Sequence, residues 1–208
     1  MKSSRGLKGV LLFPGAGSDS THPTLVRIEQ ALDPLPVRRA DFAYRLAGKR
    51  PPDRAPVLLA TIRSNAADFA KDLRTTSRSL ALGGRSMGGR MCSMAAAGGD
   101  DIGPTLACAA LVLISYPLHP PGKPDTLRVQ HLSRVRVPCL FVHGTRDAFG
   151  SPYELEKWTA TIQAPVTHVW FERKTHDLKG VDDDVAAAVH DWLRGHVAGS
   201  GLSSSRSR

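Results

Sequence analysis

Residues 79–90 read SLALGGRSMGGR, and they combine two different kinds of secondary-structure signal. The first half of this stretch is a short apolar run typical of a buried strand, and the second half opens a segment with apolar residues at helical spacing. Between them, Gly84, Ser86 and Gly88 form the pattern G-x-S-x-G, in which a strand reverses sharply into a helix. Glycines suit the flanking positions because side chains would clash there. We therefore predict a strand, a tight turn carrying Ser86, and a helix.

A serine at such a turn is suited to act as a nucleophile. The helix directs its positive end toward the hydroxyl, and the backbone N–H of Met87 is placed to bind a developing oxyanion. The same letters could form a phosphate-binding turn, but they lack the lysine of a P-loop and the G-x-G-x-x-G spacing of a dinucleotide fold. We therefore interpret the stretch as a nucleophile elbow.

Short apolar runs alternate along the chain with amphipathic segments. The runs predict buried parallel strands at 9–13, 37–42, 79–84, 110–115, 138–144 and 167–172. The amphipathic segments predict helices at 24–32, 56–73, 86–98, 126–134, 152–163 and 182–197. This alternation predicts an α/β fold with a doubly wound, mostly parallel sheet of about six strands.

The length of 208 residues suits one domain, which we expect to span 1–198. Residues 199–208, GSGLSSSRSR, have almost nothing to bury and predict a disordered tail. Only about 20 residues separate the fourth apolar run from the fifth, which leaves no room for a cap domain.

The formal net charge is +9, and five of the positive charges lie near the chain ends, at Lys2, Arg5, Lys8, Arg206 and Arg208. The remaining arginines are scattered and aromatics are few, so we predict no specific nucleic-acid binding. No run of about 18 apolar residues and no convincing signal peptide occurs, so we expect a soluble cytoplasmic protein without a membrane partner. The oligomeric state stays open.

An acid and a histidine follow Ser86 at the ends of two later strands. Asp147 lies in FVHGTRDAFG and His176 in FERKTHDLKG, and the order Ser, Asp, His is the one expected after an elbow. We predict that His176 takes the Ser86 proton and later returns it to the leaving group, while Asp147 stabilises the imidazolium. The alternatives are Asp177, which we expect to cap a turn, and His143, which we expect to end a strand.

The loop after the first strand, LLFPGAGSDS, is predicted to supply a second oxyanion donor. The amide of Ala16 is the first choice and that of Gly17 the next. Three nearby side chains, His22, Arg85 and His119, are candidates for contacting substrate. For Arg85 the alternative is a structural hydrogen bond that braces the elbow.

No metal or cofactor is predicted. A zinc site built from His22, His119 and His176 would occupy the catalytic base, and acyl transfer through a serine needs no cofactor. Three widely spaced cysteines in apolar surroundings predict buried reduced thiols: Cys92, Cys108 and Cys139.

Four blocks of sequence, GGRSMGGR, ISYPLHPPGKPDTLR, PCLFVHGTRD and KTHDLKG, resemble a small α/β-hydrolase family. That family includes the testis-expressed hydrolase-like proteins and a subunit of the non-specific-lethal chromatin complex; dienelactone hydrolases are similar more loosely. The resemblance implies a minimal α/β-hydrolase fold without a cap, and the triad Ser86, Asp147 and His176. Family members commonly have His-Gly-Ala in the oxyanion loop, where this chain has Pro14-Gly15-Ala16, so a histidine that often supports the loop is absent.

We therefore expect a serine hydrolase that cleaves a small or medium carboxylic ester or thioester, a small-molecule acyl substrate, through an acyl-Ser86 intermediate. An ester or thioester is the easier substrate, because an alkoxide or thiolate is expelled more readily than the amine of an amide. One alternative is a non-catalytic scaffold that retains the fold, as the chromatin subunit suggests. Another is a dienelactone-type lactone hydrolase, although that family commonly uses Cys as its nucleophile. Without a cap, the pocket should be shallow and open to water.

Overall fold

The computed structural model describes residues 6–198, in which one six-stranded sheet forms. The strands are β1 (Gly9–Phe13), β2 (Val37–Arg39), β3 (Leu80–Arg85), β4 (Ala110–Ile114), β5 (Cys139–Gly144) and β6 (Val166–Phe171). They lie in the order β2-β1-β3-β4-β5-β6, and every neighbouring pair is parallel. The predicted doubly wound sheet of about six strands is confirmed.

Helices cover both faces of the sheet. They are α1 (Pro23–Ala31), α2 (Ala43–Leu46), α3 (Ala55–Asp72), α4 (Met87–Ala97), α5 (Pro152–Thr159) and α6 (Asp182–Ala198). Helices α1 and α6 contact each other on one face, and α3 contacts α4 on the other. Five of the six predicted helices therefore form, with ends shifted by a few residues.

The predicted helix at 126–134 is wrong, because only a single 3₁₀ turn forms there, at Leu132–Arg134. The backbone groups that a helix would pair internally are used elsewhere. The N–H of Arg128 donates to the carbonyl of Leu118 at 2.8 Å, and its carbonyl accepts from the hydroxyl of Tyr116 at 2.9 Å. This loop is therefore tied to the chain that leaves β4.

The core has two layers, one on each side of the sheet. In β1, Leu11 and Phe13 join the cluster on the α3 and α4 side, while Val10 and Leu12 join the cluster on the α1 and α6 side. All four are fully buried. This follows from the alternation of side chains along a strand, and burial on both faces is typical of a parallel sheet.

The strand order places a crevice at the carboxyl ends of β1 and β3. From β1 the chain moves outward to β2 and then returns to β3 on the other side of β1. Open α/β sheets bind ligands at such a switch point. The loop that starts at Pro14 follows β1, and Ser86 follows β3, so both predicted elements of the site lie at this crevice.

The segment between β4 and β5 contains only the 3₁₀ turn, so no cap domain occurs in the described part of the chain. Among residues 6–198, no helix has both the length and the apolar character needed to cross a bilayer. The tail predicted at 199–208 lies outside the described residues. The three cysteines are buried free thiols, as predicted, and burial raises the pKa of Cys108 to about 12.

Candidate active site

The turn between β3 and α4 holds Ser86 in a rarely populated conformation. Its φ is 51° and its ψ is −117°, which is costly for a residue with a side chain. The Ser86 N–H donates to the carbonyl of Ile114 at 2.8 Å. A β-carbon added at Gly84 or at Gly88 would clash with the carbonyl oxygen of Phe13. The two glycines therefore let the turn lie directly against the end of β1.

Ser86, His176 and Asp147 form a continuous hydrogen-bonded chain. Nε2 of His176 lies 2.9 Å from Oγ of Ser86, and Nδ1 lies 2.8 Å from Oδ2 of Asp147. Because an ionised carboxylate can only accept, Nδ1 carries the proton and Nε2 is left as the acceptor for the serine hydroxyl. The three residues predicted from separate parts of the sequence thus meet in the geometry that a nucleophile and its base require.

Asp147 is held as a carboxylate. Burial by itself raises its pKa, but interactions with His143 and His176, together with the N–H of Phe149 at 2.8 Å, outweigh burial and lower the pKa to about 2. The nearest nitrogen of His143 lies 3.8 Å from Oδ2, beyond hydrogen-bond distance. The direct bond from His176 is therefore the principal contact of this acid.

The two alternative residues have other environments. His143 is the penultimate residue of β5 and is fully buried. Its Nε2 accepts from the N–H of Tyr116 at 3.0 Å, and burial lowers its pKa. Asp177 is exposed and accepts from the hydroxyl of Thr175 at 2.8 Å within a turn. Neither side chain contacts Ser86.

Two side chains hold the His176 loop. The ring of Phe149 stacks on the imidazole with centroids 4.0 Å apart. Arg85 is only 8% exposed and donates to the carbonyl of His176 at 2.9 Å. Arg85 thus makes a structural hydrogen bond, which was the alternative to a substrate contact in the sequence analysis. Arg85 also lines the cavity beside the serine.

The loop after β1 lies against the nucleophile. A β-carbon at Gly15 would be 3.5 Å from Cβ of Ser86. No acceptor for the N–H of Ala16 occurs within residues 6–198, and Met87 is the first residue of α4, so its N–H has no partner within the helix. Both predicted donors are thus available at the same cavity.

A buried tyrosine supports this loop. The hydroxyl of Tyr44 donates to the carbonyl of Ala16 at 2.8 Å, and Tyr44 is 1% exposed. No pattern in the sequence points to this residue, because the contact joins the loop after β1 to α2 across the fold. Tyr44 therefore fixes the position of the loop segment that carries the Ala16 amide.

A cavity of about 700 Å³ lies beside Ser86. Its lining combines loop glycines and prolines with histidines, arginines and one aromatic ring: Gly15, Ala16, Gly17, Ser18, His22, Pro52, Arg85, Ser86, Met87, Arg90, Pro117, Arg128, Phe149 and His176. A larger cavity of about 880 Å³ lies at the opposite ends of the strands and does not include Ser86 or His176. We therefore place the candidate site at the smaller cavity.

Two of the three predicted pocket residues line this cavity. His22 does so while its Nδ1 accepts from the N–H of Thr24 at 3.3 Å, and burial lowers its pKa. Arg85 is the second. His119 is not among the lining residues: its Nδ1 lies 2.9 Å from the carbonyl of Pro120 and its Nε2 lies 3.5 Å from Glu154. The cavity gives no support to a substrate contact by His119.

Arg90 and Arg128 line the cavity although neither was predicted. Arg90 lies four residues after Ser86, so helical spacing alone could have placed it on the same helix face. Arg128 reaches the cavity from a loop, and no local pattern could have revealed that. Within residues 6–198, no cluster of three or more His, Cys, Asp or Glu side chains is suited to hold a metal ion.

A family model described as "Alpha/beta hydrolase domain" matches residues 7–192. Among solved structures, Est1E from Butyrivibrio proteoclasticus is similar with a TM-score of 0.70 and 18% identity, covering 93% of this chain and 90% of that one. An alpha-beta serine hydrolase homologue from Coxiella burnetii has a TM-score of 0.67 and 17% identity, covering 93% and 86%. A dienelactone hydrolase from Anabaena variabilis has a TM-score of 0.62 and 19% identity, covering 91% and 87%. At this identity the structural likenesses show the fold alone.

Proposed function

The chain belongs to the alpha/beta hydrolase domain family, and we propose that it is a serine hydrolase acting on small or medium carboxylic esters or thioesters. The observation that carries the proposal is the hydrogen-bonded chain from Ser86 through His176 to Asp147. It lies at a strained turn that exposes the serine hydroxyl to a cavity. Strain of this kind persists where the surrounding structure enforces it, commonly at functional sites.

The first half of the reaction acylates the serine. Nε2 of His176 takes the hydroxyl proton as Oγ of Ser86 attacks the ester carbonyl, and Asp147 stabilises the resulting imidazolium. The N–H groups of Ala16 and Met87 donate to the oxyanion of the tetrahedral intermediate. His176 then gives its proton to the departing alkoxide or thiolate, which leaves an acyl-Ser86 ester.

The second half hydrolyses that ester. His176 takes a proton from water as the water oxygen attacks the acyl carbonyl, and the same two amides hold the oxyanion. When this intermediate collapses, the proton returns to Oγ and the carboxylic acid is released. Ser86 and His176 are both partly exposed, which supports access of water to the acyl group and favours hydrolysis over acyl transfer.

Labelling with a fluorophosphonate tests the proposal directly. We expect wild-type protein to gain the mass of one phosphonyl group by intact mass spectrometry, because an activated serine displaces fluoride from phosphorus. Ser86→Ala should gain none. Ser64→Ala, which changes an exposed serine on α3, is the matched control and should label like wild type.

Turnover of p-nitrophenyl esters from acetate to octanoate then measures the acyl length that the cavity accepts. A well-folded wild-type sample that neither labels nor hydrolyses any of these esters would contradict the proposal. It would leave the scaffold alternative, in which the fold is retained without catalysis. The narrower resemblance to the testis-expressed and chromatin-complex proteins stays a prediction that rests on blocks such as GGRSMGGR.

Replacing Tyr44 by Phe should lower kcat for a p-nitrophenyl ester by about three- to tenfold. The change removes one hydrogen bond to the carbonyl of Ala16, whose worth is about 0.5–1.5 kcal/mol, and loosens the loop that presents the Ala16 amide to the oxyanion. KM should change less than kcat, because the oxyanion forms only after binding. Steady-state kinetics of the two proteins checks this. A rise in KM at constant kcat would instead indicate that Tyr44 shapes the binding surface.

A further inference from the structure

Three arginines line the cavity beside Ser86, and no acidic side chain does. A guanidinium group that is partly removed from water needs a counter-charge or hydrogen-bond acceptors to offset the lost hydration. Within residues 6–198, no ion pair joins Arg85, Arg90 or Arg128 to an Asp or Glu: the arginines that do form such pairs are Arg27, Arg38, Arg39, Arg45 and Arg134. The cavity therefore carries positive charge that the described residues leave unpaired.

Arg90 has a buried donor without a partner among residues 6–198 and only one weak side-chain contact. It is half-buried on α4, four residues after Ser86 and on the same helix face. Its Nε is buried and finds no hydrogen-bond partner among the described residues. Its Nη1 lies 3.6 Å from Sδ of Met94, which is a weak acceptor. Most of its five N–H donors are thus free for a ligand.

Arg128 faces the same cavity from a well-anchored position. Its own N–H and carbonyl are both hydrogen-bonded, to Leu118 and to the buried hydroxyl of Tyr116. No acceptor for its half-buried side chain occurs in the described part of the chain. Burial lowers the pKa of Arg90, and the charge of Arg128 lowers it further. Both guanidinium groups belong to residues that line the same cavity, so their positive charges act on whatever occupies it.

Arg85 differs from Arg90 and Arg128 because its guanidinium already has a hydrogen-bond acceptor within the protein. It donates to the carbonyl of His176, and the charges of Asp177, Asp182 and Asp147 partly offset the effect of burial on its pKa. We treat it as a brace of the His176 loop and assign it no ligand.

Building on the hydrolase function proposed above, we infer that the substrate carries a carboxylate or similar oxyanion that Arg90 and Arg128 bind while Ser86 attacks the ester carbonyl. An oxyanion in the cavity that both residues line supplies the missing acceptors and offsets their positive charge. Arginine suits this task because its planar fork of donors matches the paired oxygens of a carboxylate.

The size of the cavity bears on where the anion lies in the substrate. The cavity has a volume of about 700 Å³ and Arg90 and Arg128 line it together with Ser86, so it has room for an anion that is separated by several bonds from the carbonyl at Ser86. Suitable substrates are half-esters of a dicarboxylic acid, or esters whose leaving group bears a carboxylate. Simple acetates and butyrates would use the serine but leave both arginines unpaired.

Matched pairs of esters test the inference. The acyl pair is p-nitrophenyl hydrogen adipate against p-nitrophenyl methyl adipate, and the leaving-group pair is 4-acetoxybenzoate against its methyl ester. With each rate divided by the hydroxide-catalysed rate, we expect wild type to prefer the charged member of one pair by about tenfold or more in kcat/KM. Sodium chloride should reduce the preference. 4-Acetoxyphenyl phosphate in place of the benzoate distinguishes a phosphate from a carboxylate site.

Variants then connect the preference to the two arginines. Arg90→Met and Arg128→Met should each lower the charged-to-neutral ratio several-fold, and the double variant should bring it to about one. Arg78→Met removes the same charge from an exposed position before β3, at the opposite end of the strands, and should leave the ratio unchanged. Arg90→Lys keeps the charge and should retain part of the preference, which covers the case in which Arg90→Met does not fold.

Binding to Ser86→Ala separates this inference from the hydrolase proposal. Calorimetry should show that monomethyl adipate binds and dimethyl adipate does not, and that adding Arg90→Met abolishes the binding. If wild type labels with fluorophosphonate and hydrolyses neutral esters, but prefers neither charged member and binds no monomethyl adipate, the anion site is wrong and the hydrolase stands. If no ester is hydrolysed and no label forms, the hydrolase fails, and the calorimetry alone decides the anion site.

Discussion

Asp147→Asn should lower kcat/KM for a p-nitrophenyl ester by about 10⁴. The asparagine amide can donate to Nδ1 of His176, which moves the ring proton to Nε2. A protonated Nε2 cannot take the proton of Ser86, so the base is lost although its position is kept. Because the pKa of Asp147 is about 2, the wild-type carboxylate is charged at neutral pH, where the two proteins should be compared.

Asp177→Asn is the matched control, since it makes the same change next to the base in an exposed turn. We expect its kcat/KM to stay within about twofold of wild type, as is usual for a surface substitution. The opposite pattern, a large loss in Asp177→Asn and little in Asp147→Asn, would mean that the orienting acid is Asp177. Circular dichroism of both variants excludes unfolding as the cause of any loss.

Local patterns explain how much of the fold could be predicted from the sequence. The β1 strand was predicted at 9–13 and forms at Gly9–Phe13, because an unbroken apolar run is what burial on both faces of a parallel sheet requires. Asp147 and His176 could be placed near Ser86 because the carboxyl ends of parallel strands share one edge. Each of these predictions needs only a run of sequence and one topological rule.

What could not be predicted depends on contacts between distant segments. The hydroxyl of Tyr44 reaches Ala16 across the fold, and nothing near residue 44 indicates that partner. The segment 126–134 has helical spacing, yet the hydrogen bonds of Arg128 to Leu118 and Tyr116 override it. Arg90 and Arg128 lack acidic partners among the described residues. The sequence could not predict this, because spatial neighbours from distant segments follow from the fold and not from a local pattern.

Gly84→Ala should lower the free energy of unfolding by at least about 3 kcal/mol and Tm by about 6–12 °C. The φ of Gly84 is 147°, which disfavours any side chain. An added β-carbon would clash with the carbonyl oxygen of Phe13 and lie 2.8 Å from its nitrogen. Both atoms belong to β1, whose Phe13 is the register partner of Gly84 in the middle of the sheet. Relieving this clash would therefore require β1 and β3, two interior strands of the sheet, to separate.

Gly17→Ala serves as the control for stability, because nothing lies within 4 Å of a β-carbon there. Thermal unfolding followed by circular dichroism should place its Tm within about 2 °C of wild type. Fluorophosphonate labelling of folded Gly84→Ala should also be slow, since moving β3 away from β1 separates Ser86 from the amide of Ala16. A Gly84→Ala protein that melts with wild type would show that the strands do not approach this closely. The elbow would then lack the steric reason that we give for its first glycine.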